Sequence, residues 1–471
     1  MVPDRFEWLL ASGSPTSELA DRFADAGHDL YLVGGSVRDA LLGLPHDDLD
    51  FTTPARPDEI RAIVEDLADA IYPMGEKFGT IGMRRGSAVY EITTFRSEIY
   101  RDESRKPHVT FSDTIEEDLS RRDFTVNAMA LRISDATLID PFGGAADLFK
   151  RVLRTPLDPE IAFSDDPLRM LRLFRFQSKL DFEPDAAATD AVARMAERIE
   201  IVSAERIRDE FSKLLVADDP GPALWGLVDT GLIDHFLPEM RALAMEQDPV
   251  HHHKDVLAHT IAVTQKASPR LRLRLAALLH DIGKPDTREF APGGVTFHHH
   301  EVVGARMARN RLRALRFPKD LTNDVKQLVF LHLRPHTLKM GWTDSAVRRY
   351  VRDAGHLMDD LNELVRCDVT TANERRARAI QQRIDELEER IVELRKQEEI
   401  EALRPPIDGN DVIGYLGITP GPAVGQIMDM LLNRRIDEGR YSVTEAYAMV
   451  RTWAIENGFD DPGETPEAEE E

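Results

Sequence analysis

The stretch Tyr31–Thr53, YLVGGSVRDALLGLPHDDLDFTT, places two glycines, an arginine and an Asp-Leu-Asp triplet in one short unit. YLV reads as the end of a buried strand, VRDALLG as a helix, and LDFTT alternates like a second strand. A Gly-Gly turn between strand and helix, here Gly34-Gly35, lets backbone amides approach a phosphate, and the helix start favours its charge. Arg38, one turn into that helix, can reach the same anion. Asp48 and Asp50 stand two apart on a strand, so both carboxylates point to one face. Neighbouring carboxylate oxygens suit Mg²⁺, which keeps waters and completes its shell with substrate phosphates. Glu91, in VYEITTF, offers a third carboxylate from an adjacent strand. Three carboxylates holding two metals would activate a hydroxyl and stabilise a leaving pyrophosphate. An Asp-x-Asp pair is commonplace in a chain with 84 acidic residues, so other motifs must decide.

Further along, TIGMRR, VYEITTF and NAMALRI also read as strands, giving a small mixed sheet of at least four strands with flanking helices. After about residue 156 strand signals nearly vanish. PLRMLRLFRFQSKL, DAVARMAERIEI, AERIRDEFSKLL and LRLRLAALLHDIG carry helical periodicity instead. Ile380, Ile384, Leu387, Ile391 and Leu394 mark one long helix, stopped by Pro405-Pro406. The fold class is therefore α+β, an N-terminal head with a sheet followed by all-α regions. The expected divisions are 1–155 for the head, 156–245 for a helical neck and 246–372 for a histidine-bearing domain. A helical C-terminal region at 373–460 and an acidic, disordered tail at 461–471 complete the chain.

At 471 residues the chain suits about three domains, and 42% hydrophobic content suffices for packed cores. No apolar window of about 18 residues is present, which argues against a membrane span. The start, MVPDRFEWLL, lacks the basic and apolar regions of a secretory signal. Cys367 is the single cysteine, so neither an intramolecular disulfide nor a cysteine metal site can form, and a cytoplasmic location is expected. The net charge of −24 argues against a chain coated by nucleic acid. An RNA substrate would need a confined basic track, for which PRLRLRL (269–275) and RNRLRALRFPK (309–319) are candidates; solvated helix faces are the equal alternative.

RRDFTVNAMA (121–130), DPFGGAADL (140–148) and SDDPLRMLRLFRF (164–176) join LVGGSVRDALLG and DLDFTT in a pattern that resembles the class II CCA-adding enzyme and bacterial poly(A) polymerase family. The likeness runs from about residue 30 to 245 and resumes at PIDGNDVIGYLGITPGPAVGQI (406–427). It implies that Asp48 and Asp50 hold the catalytic metals with Glu91, and that Gly34, Gly35 and Arg38 meet the triphosphate. Asp123 would read the ribose hydroxyl, with Arg122 and Asn127 against sugar or phosphate. Asp166 and Arg169 would pair with the base edge of the incoming nucleotide, and Arg172 and Arg175 would lie near phosphates. Asp166 before Pro167 also reads as an ordinary helix cap. Positions three apart drift around a straight helix, so Arg175 is expected about opposite Asp166, and the four are not expected to face one ligand together. In the family, the polar region between Glu91 and the second motif contains a flexible loop needed to switch from C to A addition. Here it reads as full length, which favours completing CCA or adding A.

His280-Asp281 in LLHDIGKPDTRE, with His259, His300, His332 and Asp368, forms a second constellation. Imidazoles and carboxylates are a borderline ligand set suited to Fe, Mn, Ni or Zn, and one or two such ions could activate water. The ordered series resembles the HD phosphohydrolase domain. That resemblance implies activity on cyclic phosphates or phosphate monoesters, with an inert RNA-holding module as the alternative. His251–His253 and His298–His299 read as solvated.

The combined expectation is an enzyme that adds the 3′-terminal CCA of tRNA from CTP and ATP. A poly(A) polymerase on the same scaffold is the alternative; the acidic tail leans toward tRNA. A phosphohydrolase whose head only binds nucleotide, and a non-catalytic RNA-binding protein, are minority readings, because no motif carboxylate is missing. The oligomeric state is not legible.

Overall fold

The apolar run Tyr31–Val33 (β1) is buried at every position and forms an interior strand of a seven-stranded sheet in this computed structural model. The structure describes residues 6–11, 13–44, 49–72, 79–86, 88–99, 108–245, 255–291, 294–334, 343–369, 374–398 and 404–464. The other strands are β2 (Leu49–Thr53), β3 (Ala70–Tyr72), β4 (Thr80–Arg85), β5 (Ala88–Thr94), β8 (Ala130–Arg132) and β9 (Leu138–Ile139). They run in the order β3-β4-β5-β2-β1-β8-β9, while β6 (Arg96–Ile99) and β7 (His108–Phe111) form a separate hairpin. The sheet is mixed: β2 and β5 are parallel and the other pairs antiparallel.

The pleat places the candidate carboxylates. Along β5, Tyr90, Ile92 and Thr94 are buried and Glu91 between them is exposed, as period-two alternation requires. Asp50 pairs in register with Glu91 across the parallel β2–β5 ladder. Two carboxylates therefore stand side by side on the face away from the side chains of Phe51 and Ile92, which are 1% and 0% exposed. Behind β1, Tyr31, Val33, Phe95, Ile115, Leu119, Ala128 and Ala130 make one apolar cluster.

The chain forms two compact units. The first comprises Met1–Met245 with Arg311–Phe317, and the second Glu246–Asn310 with Pro318–Glu471. In the first unit, helix α1 (Gly35–Leu42) follows β1 directly, α2 (Leu168–Leu180) carries the arginine series, and α3 (Ala204–Leu215) packs along α2. In the second unit, α4 (Val256–Lys266), α5 (Leu271–Leu279), α6 (His300–Ala314), α7 (Lys319–Leu331) and α8 (Met358–Asp368) carry the histidine series, and α9 (Glu374–Glu398) is the long helix read from its periodicity. Ile384, Leu387, Ile391 and Leu394 are the buried stripe of α9.

The α+β class holds, with two additions to the expected all-α regions among the described residues: Glu183–Pro184 pairs in parallel with Val152–Leu153, and a hairpin lies farther along. Arg288–Ala291 and Gly294–Phe297 form a hairpin between α5 and α6. No helix among the described residues is long and apolar enough to cross a membrane. The stretch 269–275 does not provide a free basic track. Arg270 pairs with Asp360 and Glu363, Arg272 with Asp360 and Asp324, and buried Arg274 donates to the Ala267 carbonyl at 3.0 Å.

Candidate functional site

The turn that opens α1 is built around Gly34, whose φ of +69° is in the region that L side chains avoid. A Cβ there would also meet Nη1 of Arg122 at 2.8 Å, so the bare backbone lets Arg122 close against the turn. The Ser36 hydroxyl in the first turn of α1 accepts the Asp50 N–H at 3.4 Å, tying the glycine turn to the carboxylate strand. Asp48 lies outside the described residues.

From the turn a continuous polar chain runs through the head. Arg38 is 3% exposed; its Nε and Nη2 donate to Asp39 at 2.8 and 2.9 Å, and its Nη1 donates to Asn127 Oδ1 at 2.5 Å. The Asn127 amide donates to Asp123 Oδ1 at 2.8 Å, and Arg172 Nε donates to Asp123 Oδ2 at 2.9 Å. Burial alone would raise the Asp123 pKa, but Arg172 and the Asn127 amide hold it well below the usual carboxylate range. Arg122 pairs with the fully buried Asp118, which also takes Arg121. Phe176 lies within cation–π range of three guanidiniums, with Arg175 at 4.2 Å and Arg38 and Arg172 at 5.3 and 5.4 Å from its ring centre.

These groups surround one cavity of about 510 Å³. Gly34, Gly35, Arg38, Asp50, Arg122, Asp123, Asn127, Asp166, Arg169, Arg172 and Arg175 all line it. The expectation that the arginine series would diverge around its helix is corrected here. Asp166 precedes α2 with extended backbone (φ −141°, ψ 100°), so helical periodicity does not govern it. Long guanidinium stems bring the rest to the same space. Asp166 does act as a cap: its Oδ1 accepts the Leu168 N–H at 3.1 Å. Its Oδ2 accepts from Arg206 at 2.9 Å. Arg169 donates to the carbonyls of Ala162, at 3.0 Å, and Arg121.

Local motif reading missed Arg96, Arg121, Phe176, Lys179 and Arg206, which also line the cavity. It missed Glu210 behind it as well. Buried Glu210 ion-pairs with Arg172 at 3.4 Å and Arg175 at 2.9 Å. Lys179 lies four residues beyond Arg175, one turn along the same helix face, and was readable. Arg206 and Glu210 come from α3, and no local pattern ties them to α2.

In the second unit six predicted groups converge. His259 Nε2 lies 2.9 Å from Asp368 and 3.3 Å from His280 Nε2, while His300 Nε2 lies 3.3 Å from His332 Nε2 and 3.4 Å from Asp281 Oδ1. Asp281 Oδ2 is 3.2 Å from His280 Nε2. Two sets of three donors result, His259-His280-Asp368 and Asp281-His300-His332, each within 4.8 Å. His280, His300 and His332 hydrogen-bond through Nδ1 to the carbonyls of Ala277, Phe297 and Val329 at 2.7, 2.9 and 2.6 Å. That fixes each ring with Nε2 turned inward, the arrangement metal-binding histidines adopt. The donor set fits a divalent cation.

Gly283 permits this approach, since a Cβ there would lie 2.3 Å from the His300 carbonyl. Lys284, missed from sequence, ion-pairs with Asp281 at 2.7 Å. Burial disfavours charge on His280, yet Asp281 and Asp368 raise it to about 10, whereas burial and His280 lower His332 to about 3. His298 and His299 are exposed, as expected, and His251–His253 lie outside the described residues.

A strand-turn-helix anion pocket with adjacent carboxylates, followed by helices and a histidine–carboxylate centre, defines a nucleotidyltransferase head joined to an HD domain. Comparison with known proteins agrees. A poly(A) polymerase head-domain model matches residues 30–154, a probable RNA- and SrmB-binding site of polymerase A matches 181–243, and an HD domain matches 256–393. These two domain types imply use of divalent metal ions. An A-adding tRNA nucleotidyltransferase of Deinococcus radiodurans is 32% identical over 437 residues, covering 90% of this chain and 95% of that enzyme. A CCA-adding enzyme of Lacticaseibacillus paracasei is 43% identical over 218 residues, 46% of this chain and 53% of that enzyme. The crystal structure of the Bacillus stearothermophilus CCA-adding enzyme in complex with CTP superposes with a TM-score of 0.67 and 25% identity, covering 97% of this chain and all of that one. The chain belongs to the tRNA nucleotidyltransferase family.

Proposed function

We propose that this chain adds the 3′-terminal CCA to tRNA from CTP and ATP, without a nucleic-acid template, in the cytoplasm. The observation that carries the reading is the head cavity, where nine basic side chains face three carboxylates, Asp50, Asp123 and Asp166, with Asp50 paired in register with Glu91. Such an excess of cations matches a nucleoside triphosphate. The RNA 3′-hydroxyl attacks the α-phosphorus, a new P–O bond forms, and pyrophosphate leaves in line. Mg²⁺ held by Asp48, Asp50 and Glu91 would polarise the attacking hydroxyl and stabilise the leaving group's charge. The Gly34-Gly35 turn and Arg38 take the triphosphate with Arg172 and Arg175. Asp123 meets the ribose, with Arg122 and Asn127 at its side, and Asp166 with Arg169 reads the base edge. The helical neck, the HD region and the C-terminal region after residue 373 would hold the acceptor stem of tRNA.

In the HD domain, His259, His280, Asp281, His300, His332 and Asp368 would hold one or two ions of Fe, Mn, Ni or Zn, with phosphatase or cyclic phosphodiesterase chemistry. A second reading of the head, A addition only, is favoured by the Deinococcus radiodurans relative, of which the chain covers 95%.

The test uses tRNA transcripts ending before CCA, after C and after CC, with Mg²⁺ and with CTP and ATP separately and together. Three additions that need both nucleotides support CCA synthesis. Extension of the CC-ended transcript alone, by one A, moves the assignment to A addition. Long A tails on an unrelated RNA move it to poly(A) synthesis. No addition at all overturns all three.

A further inference from the structure

The geometry points to Arg206 as a positioning residue for base selection, an inference that rests on Asp166 as a base-reading group. Asp166 is held at both oxygens, Oδ1 by the Leu168 N–H and Oδ2 by the Arg206 guanidinium. Either bond alone leaves the carboxylate plane free to turn about the Cβ–Cγ bond; the two together fix it. An ionised carboxylate oxygen has two acceptor positions, so each keeps one for a ligand after accepting a protein hydrogen bond.

A plane fixed in this way discriminates. The exocyclic amines of cytosine and adenine donate, while the corresponding positions of uracil and guanine are carbonyl oxygens. A carboxylate accepts from the first pair and repels the second. A reading group of this kind needs its orientation held to within about 10–20°.

Arg206 is placed by its own helix. Ser203 caps α3, and its hydroxyl accepts the Arg206 N–H at 3.4 Å. The guanidinium then stands between the head cavity and a neighbouring one of about 440 Å³, lined by Pro167, Val202 and Ser203. The Arg206 side chain is 50% exposed. Ion pairs this exposed contribute little to folding, so the contact's consequence lies in the orientation of Asp166 rather than in stability.

The test measures single additions to tRNA ending before CCA, with CTP against UTP, and to tRNA ending in CC, with ATP against GTP. The second primer keeps the experiment informative if the head adds only A. With Arg206→Ala the ratio of kcat/KM for the correct over the wrong nucleotide falls about tenfold, mainly through a higher KM for the correct one. Arg206→Lys, which keeps the cation, recovers part of the ratio. A melting curve for each variant reports the fold.

An unchanged ratio in Arg206→Ala, whether activity with both nucleotides falls in parallel or persists, overturns the proposal. Asp166→Ala separates the two levels of inference. Loss of discrimination in Asp166→Ala but not in Arg206→Ala overturns the role of Arg206 alone. Retention of discrimination in Asp166→Ala overturns the base-reading role itself.

Discussion

The head cavity and the histidine centre are both built from charged groups, but they solve opposite problems. In the head, cations outnumber carboxylates nine to three around about 510 Å³ of accessible space, and the arginines are held apart by Asp123, Asp118 and Glu210. In the second unit, imidazole nitrogens and carboxylate oxygens crowd to about 3 Å of one another, with His280, Asp281 and His332 each 1% exposed. A large basic cavity suits a polyanion that arrives and leaves with its counter-ions. A small cluster of inward lone pairs suits a resident metal, because only a cation relieves their mutual repulsion. The contrast separates a substrate pocket from a ligand shell.

The largest expected effects test that separation. Asp50→Ala lowers nucleotide addition by on the order of 10³-fold, while the metal content of the HD centre stays unchanged. Asp281→Ala empties the HD centre, measured by elemental analysis, and leaves addition within about twofold. Equal loss of addition in both variants would show that the two centres do not act separately.

A smaller effect probes what holds the arginines. Glu210→Gln keeps the shape but removes the charge that pairs with Arg172 and Arg175. The KM for nucleotide should rise about tenfold with a smaller change in kcat. No comparable shift is expected from Glu363→Gln in the second unit, whose partner is the exposed Arg270.

Protonation sharpens the comparison further. The folded-state pKa of Asp123 is depressed, so the unfolded chain binds more protons in acid. Its stabilising contribution is present above the ordinary carboxylate pKa of about 4 and is lost as pH falls below it. Asp123→Asn should therefore melt with a shallower fall between about pH 5 and pH 3 than the parent chain. An identical slope in the two proteins would mean that the Arg172–Asp123 pair is not maintained in solution.

How much of this was legible depended on whether a residue's role is local. The glycine turn and the carboxylate alternation could be read because local turn chemistry and the strand period fix which groups share a face, whereas the histidine series was grouped by its resemblance to the HD domain. Glu91 could be offered as a third carboxylate from an adjacent strand, but its register opposite Asp50 emerged only from strand pairing. Glu210, Arg206 and Lys284 were invisible as site residues, since nothing in AERIRDEF or DIGKPD states which distant group each will meet. The arginine series was misjudged because ideal helix geometry was applied to Asp166, which lies outside the helix.

The smallest expected effect concerns the basic stretch 269–275, where sequence and structure part most clearly. Arg270 is half exposed, yet its guanidinium is shared by Asp360 and Glu363, and Arg272 is held by Asp360 and Asp324. A guanidinium already neutralised by carboxylates has little charge left to displace counter-ions from RNA. Each phosphate contact that is lost should reduce the slope of log affinity against log salt by nearly one. Arg270→Ala should leave that slope unchanged and alter tRNA affinity by less than about twofold. A slope lower by about one would mean that RNA draws Arg270 away from Asp360 and Glu363. The second unit would then share the head's use of arginine, and the contrast between the two regions would have to rest on the histidine centre alone.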